Sequence, residues 1–134
     1  MPLIENDVIF AFLNSLDPKF KPAERIFNKI GSGQLKVSVS SVALVEMELV
    51  YRSEGREEAL LNDMAALASI PNTTFEPLTP DVTLSSVFLR QTFGLGFFDS
   101  HYASAALKLD GKIISFDKAY DRVNGLKRID PDSA

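Results

Sequence analysis

An α/β fold is predicted for this chain, with a central parallel sheet of about four or five short strands and helices on both faces. Three features predict it. Short strand-like runs alternate with helical patterns along the whole sequence. Those runs are short and largely apolar, as befits strands covered on both faces. No two of them are joined by a tight hairpin turn.

Taken in order, "PLI" opens as a strand and "NDVIFAFLNSL" follows as a helix. Asn6 takes the N-cap place there, and Asp7 sits near the positive helix end. "KPAERIFNKIGSG" is a second helix, with Pro22 in its first turn, Ile26, Phe27 and Ile30 on one face, and Gly31 at its end. "LKVSVS" is a strand, and Ser40 or Ser41 caps the helix "VALVEMELVYR". "REEALLNDMAALASI" is amphipathic, with Leu60, Leu61, Met64, Leu67 and Ala68 forming a stripe. "TTFEPL" is a short strand weakened by Pro77. "TPDVTLSSVFLRQTF" is a capped helix running to Gly94, and "FDSHYASAALKL" is another. "DG" is a turn, "KIISF" a strand, "DKAYDRVN" a short helix and "LKRI" a last strand. There is no repeat or linker, so one domain over residues 1–134 is expected.

Composition narrows the chemistry. A hydrophobic fraction of 46% supplies a core, and the net charge of −4 does not favour non-specific nucleic-acid binding. The absence of cysteine excludes disulfides, thiolate metal sites and a cysteine nucleophile. A single histidine, His101, excludes multi-histidine sites within one chain and leaves little room for a Ser-His-Asp triad. The start "MPLIENDVIFAFL" has no basic leader, and the run Val8 to Leu13 is too short to span a bilayer. A soluble cytoplasmic protein without a membrane partner is expected. Carboxylate chemistry is left.

In a parallel sheet all strands point the same way, and ligands bind outside their carboxyl ends. Glu5 and Asp7 follow the first strand, and Glu46 follows the second within one or two helical turns. Ser115 and Asp117 end the strand "KIIS", and Asp99 opens the helix that leads into it. Bare carboxylates gathered at one edge repel, so a proton or a cation must relieve them. A hard divalent ion, Mg²⁺ or Mn²⁺, suits an all-oxygen site. Any one of these acids taken alone is an ordinary helix cap. Glu46 differs, because it interrupts the apolar stretch "VALVEMELV" and needs a partner. Glu48 points elsewhere, to solvent. His101 lies nearly opposite Asp99 on its helix and reads as a packing or surface residue, whereas Ala103 and Ala106 share the Asp99 face and permit close approach to the sheet.

The order and spacing resemble the PIN domain, and within it the toxin ribonucleases of VapBC-type toxin–antitoxin systems. The resemblance covers nearly the whole chain. "ENDVIF" stands where that family has a strand and D-x-N-V-L, and "SSVALVEMEL" supplies the inward Glu46. "FFDSHYASAA" supplies Asp99 on an alanine-rich helix, and "ISFD" stands for T-x-D, with Ser115 in the threonine place and Asp117 last. At the front, Glu5 occupies the slot of the family's first metal-binding Asp and Asp7 that of its Asn. Either is open as the front ligand.

The resemblance implies Mg²⁺- or Mn²⁺-dependent hydrolysis of RNA phosphodiesters, leaving a 5′ phosphate and a 3′ hydroxyl. Glu5 or Asp7, Glu46, Asp99 and Asp117 would hold one or two cations, and Ser115 would hydrogen-bond the site. Lys118 and Arg122, with Lys127 and Arg128 beyond, would meet substrate phosphates, while Asp121 would cap or pair with Lys118. An antitoxin partner and a homodimer are also implied, the latter through the helix Arg56 to Ile70 and its neighbour. The alternative is a PIN-fold protein without catalysis that binds RNA or a protein. A phosphatase lacks support, since no D-x-D follows the first strand, and a receiver domain would need its lysine in another context.

Overall fold

The structure, a computed structural model, describes residues 1–134. Five parallel strands form one sheet: β1 (Leu3–Ile4), β2 (Val37–Ser40), β3 (Thr73–Glu76), β4 (Lys112–Ile114) and β5 (Lys127–Ile129). Their order across the sheet is β3-β2-β1-β4-β5. Between them run α1 (Asn6–Leu13), α2 (Phe20–Gly31), α3 (Val42–Ser53), α4 (Glu57–Ala68), α5 (Pro80–Phe93) and α6 (Phe97–Lys108). A 3-10 helix, Lys118–Arg122, joins β4 to β5. This is the three-layer α/β architecture expected from the alternation of elements.

The strands are short because only their middles must be apolar on both sides. Leu3, Ile4, Val37, Val39, Ile113 and Ile114 are all buried between the helical layers. Leu3 sits opposite Ser38 on one side and Ile113 on the other, which locks β1 into the centre. Ala103 and Ala106 are fully buried, and their small side chains let α6 lie close to β1 and β4. At the turn before β4, a Cβ on Gly111 would come 3.1 Å from the Gly125 carbonyl, and its φ of +74° also suits only glycine comfortably.

Most caps match the sequence signals. The Thr79 hydroxyl accepts from the Val82 N–H at the start of α5, and Gly94 ends that helix with φ +68°. Ser40, rather than Ser41, accepts from the Val42 N–H, while the Ser41 hydroxyl donates to the Glu76 carbonyl and ties α3 to β3. The front helix departs from expectation. Glu5, not Asn6, is the N-cap of α1, and its carboxyl accepts from the Asp7 N–H. Asn6 is free to turn inward because a longer side chain has taken the capping task. On α4, Leu67 is buried, Leu60 and Met64 are half-buried, and Leu61 faces solvent at 77% exposure. No helix is long and apolar enough to cross a membrane.

The strand order positions the site. β1 pairs with β2 on one side and β4 on the other, so the chain leaves β1 and β4 in opposite directions along the sheet. Such a reversal opens a crevice at the strand carboxyl ends. Glu5, Asp7, Ser115 and Asp117 lie just beyond those two ends.

Candidate active site

Ser115 is the hub of the front of this crevice. It is fully buried, and its hydroxyl lies 2.7 Å from Asp7 Oδ2 and 3.2 Å from Glu5 Oε2. It also accepts from the Asp117 N–H at 3.0 Å. One hydroxyl has one proton to give. The shorter contact takes it to Asp7, so the longer one is satisfied only by a proton on Glu5. Asp7 Oδ2 accepts a second bond from the Phe116 N–H at 2.9 Å, which fastens α1 to the end of β4. Asp7 Oδ1 is buried with no partner.

Two buried tyrosines hold the acids on the helices. The Tyr102 hydroxyl donates to Glu46 Oε1 at 2.7 Å, and the Asn6 amide donates to the same oxygen at 2.9 Å and to the Ala43 carbonyl at 2.9 Å. Glu46 thus has the partners its apolar surroundings demand, and Glu48 is exposed. The Tyr120 hydroxyl donates to Asp99 Oδ1 at 3.3 Å. Asp117 caps the 3-10 helix by accepting from the Ala119 N–H and is otherwise exposed. His101 is buried against Phe97, so of its two readings packing holds. Sequence reasoning did not single out Asn6, Tyr102 or Tyr120 for these roles. The available signal was a tyrosine where phenylalanine would fill a core equally well, since a buried hydroxyl requires a partner.

Electrostatics tie the acids into one group. Burial, and then the charges of Asp7, Asp99 and Glu46, push the Glu5 carboxyl well above its ordinary range. Burial raises Asp7, against hydrogen bonds from Ser115 and its neighbours that lower it. Asp99 is raised by burial and then by Asp117. Burial and the nearby carboxylates hold both tyrosine hydroxyls protonated, so each has a proton to donate, and the Tyr102 oxygen also accepts from the Asn6 amide at 3.2 Å. None of Glu5, Asp7, Glu46, Asp99 and Asp117 forms an ion pair with a Lys or Arg.

This donor set fits a hard divalent cation: it is all carboxylate oxygen and uncompensated by the chain's own cations. As the side chains stand, no three acids converge on one ion-sized point. Each accepts at least one hydrogen bond from a protein donor, which partly offsets the repulsion among the acids.

A pH dependence follows. Glu5, Asp7 and Asp99 have ordinary values of 4.5, 3.8 and 3.8, and all are raised on folding. Between those values and the raised ones the native state binds more protons than the unfolded chain. Stability therefore falls as pH rises through that window. Melting in chelator should show a declining Tm from about pH 4 upward, and Mn²⁺ at the upper end should restore it. A flat profile would count against the coupling.

Tyr102→Phe should cost about 1.5–3 kcal/mol in urea denaturation, because a hydrogen bond to a charged group is lost with little change of volume. An unchanged midpoint would mean that the Tyr102–Glu46 contact carries no stability.

The basic residues divide. Arg128 is not available to a substrate phosphate. Its side chain is 10% exposed, it pairs with Asp121 at 3.0 Å, and it donates to the Ser115 carbonyl at 3.1 Å. Asp121 accordingly pairs with Arg128 and not with Lys118. Lys118, Arg122 and Lys127 are exposed. The two surface cavities lie elsewhere: one is lined by Phe10, Leu13, Val50, Tyr51 and neighbours, the other by Glu76, Pro77, Val82 and Leu109.

The family model of the PIN domain matches residues 3–126. This chain belongs to the PIN domain family. Its match takes in β1 through the 3-10 helix, and so every acid described above. Solved structures similar to this PIN domain include VapBC2 from Rickettsia felis bound to a DNA fragment from their promoter, with a TM-score of 0.75 at 13% identity over 95% of this chain and 96% of that one. A toxin-antitoxin complex from Klebsiella pneumoniae gives a TM-score of 0.70 at 16% identity over 98% of each chain. At these identities the likeness is one of fold. No curated protein sequence matches the chain.

Proposed function

We propose that this PIN domain is a Mg²⁺- or Mn²⁺-dependent endoribonuclease acting on single-stranded RNA, and that it is the toxin of a VapBC-type pair. The observation that carries the proposal is the group of five carboxylates at the topological switch point, none of them paired with a cation of the chain. Glu5, Glu46, Asp99 and Asp117 would hold the ion. Asp7 is better suited to bracing, because its Oδ2 is already committed to Ser115 and Phe116. Ser115 aligns Asp7 with the Asp117 backbone. When bound, the metal ion supplies an activated water and neutralises charge at the scissile phosphate.

The antitoxin partner is inferred from the two toxin–antitoxin structures to which the fold is similar. A homodimer acting in the cytoplasm completes the reading, and sedimentation at micromolar concentration tests it, with a monomer counting against it.

The activity test is cleavage of a labelled single-stranded RNA with Mg²⁺ or Mn²⁺, which chelator should stop. Glu5→Gln should lose activity and Asp7→Asn should keep most of it; the reverse would exchange their roles. The longer Glu5 in an aspartate slot favours a second reading, a PIN domain that binds RNA without cutting it. Absence of cleavage together with absence of a Mn²⁺-dependent Tm shift would favour that one.

A further inference from the structure

Phe97 opens α6 two residues before Asp99, yet 60% of it is exposed. Its backbone and ring are nevertheless held firmly. The Phe97 carbonyl accepts from the Ser100 hydroxyl at 2.8 Å and from His101 Nδ1 at 2.7 Å. The His101 ring lies 4.7 Å from the Phe97 ring, and the Phe98 ring meets it edge-on at 5.1 Å. The Arg90 guanidinium sits 5.2 Å from the ring centroid and is anchored in turn by a 2.7 Å bond to the Ser100 hydroxyl. An aromatic ring braced this way and left open to solvent is a rigid stacking surface.

One cation, Arg90, lies beside the ring, and a second, Arg122, lies beside the loop that leads into it. Neither Arg90 nor Arg122 forms an ion pair. Arg122 reaches from the 3-10 helix after Asp117 to the loop before α6, where its Nη1 lies 4.0 Å from the place a Cβ on Gly94 would take. On the same loop, Asp99 Oδ2 lies 3.7 Å from the corresponding place on Gly96. The loop Gly94–Gly96 thus has an unpaired guanidinium on one side, the Asp99 carboxylate over its end, and the Phe97 ring next in sequence.

We infer that Phe97, with Arg90 and Arg122, forms a substrate subsite for the nucleotide flanking the scissile phosphate, an inference that rests on the ribonuclease reading above. The unpaired base stacks on the open face of Phe97, and the adjoining phosphate is met by Arg122. The occupant is a single-stranded polynucleotide: its unpaired base offers a π-face beside a phosphate, and two guanidinium groups without acidic partners complement its charge. A duplex keeps its bases stacked inside and cannot use the ring.

The chain has no tryptophan, so Phe97→Trp creates a single reporter. In an Asp99→Asn background, which prevents turnover, single-stranded oligonucleotide should quench the fluorescence of that introduced indole and duplex should not. In the otherwise unchanged enzyme, Phe97→Leu should raise KM about 5- to 150-fold, the value of one stacked base, with little change in kcat. Phe97→Tyr should restore it. Arg122→Gln should weaken binding and flatten its salt dependence by about one phosphate contact. Cleavage by the parent protein with no quenching and an unchanged KM in Phe97→Leu would overturn the subsite while leaving the ribonuclease reading intact. Quenching without cleavage by the parent would remove the ribonuclease reading and overturn the placement beside a scissile phosphate, leaving Phe97 a stacking platform for bound single strands. A change in sedimentation of Phe97→Leu with no change in RNA binding would make the ring a contact between copies of this chain and overturn the subsite.

Discussion

Asp99→Asn is expected to reduce RNA cleavage by at least about a hundredfold, since even residues that only support a metal ligand cost about 10–100-fold when removed. The same variant should fold. Its amide oxygen can still accept from the Tyr120 hydroxyl, as Asp99 Oδ1 does at 3.3 Å. Removing the charge also relieves Glu5, whose carboxyl is raised in part by Asp99. In chelator, Asp99→Asn should therefore melt at or above the temperature of the parent protein. Adding Mn²⁺ should then narrow or reverse that difference, because only the parent offers the full set of charges. An active Asp99→Asn protein, or one that melts well below the parent without metal, would remove Asp99 from the site.

Ser115→Ala should produce the largest loss of stability for the fewest atoms removed. The Ser115 hydroxyl donates to Asp7, contacts Glu5 and accepts from the Asp117 N–H. Without it a buried carboxyl loses a donor and a backbone N–H loses an acceptor. Each such loss costs about 1–3 kcal/mol, so a drop of about 2–6 kcal/mol is expected in urea denaturation. Ser115→Thr should retain most of the stability, because the hydroxyl survives and only a methyl group is added. A Ser115→Ala protein as stable as the parent would show that water replaces the hydroxyl and that the hub is not structural.

The fold was legible because the physics that builds it is local. Apolar runs such as "KVSV" and "KII" mark strands covered on both faces, and Thr79, Pro80 and Gly94 mark the ends of α5. The acids were legible as a set, because parallel strands send every carboxyl end to the same edge. The network that holds them was not. Tyr102 sits in the alanine-rich run "SHYASAA" and Tyr120 in the charged run "DKAYDRVN", and neither pattern says where a hydroxyl points. Asn6 looked like a cap because Asn commonly is one. That Glu5 had taken the cap, turning Asn6 toward Glu46, depended on a contact across 40 residues of sequence. Arg128 looked like a surface cation for the same reason: its partner Asp121 becomes a neighbour only when the chain turns back into β5.

The place of β1 has a consequence for synthesis. The first strand made is the middle strand of the sheet, and one of its edges stays unpaired until β4 is made. Glu5 and Ser115 are separated by 110 residues. A ribosome needs roughly 5–20 s to cover that distance at about 5–20 residues per second. Through that interval the nascent chain lacks Ser115 and Asp117, gains Asp99 only near the end, and cannot close the crevice. Any fragment released before β4 carries an open strand edge in place of a working site, and open edges invite pairing with other chains. An interrupted translation therefore leaves a species prone to aggregate, with its carboxylate group incomplete. Assembly of the site is withheld until β4 has been made.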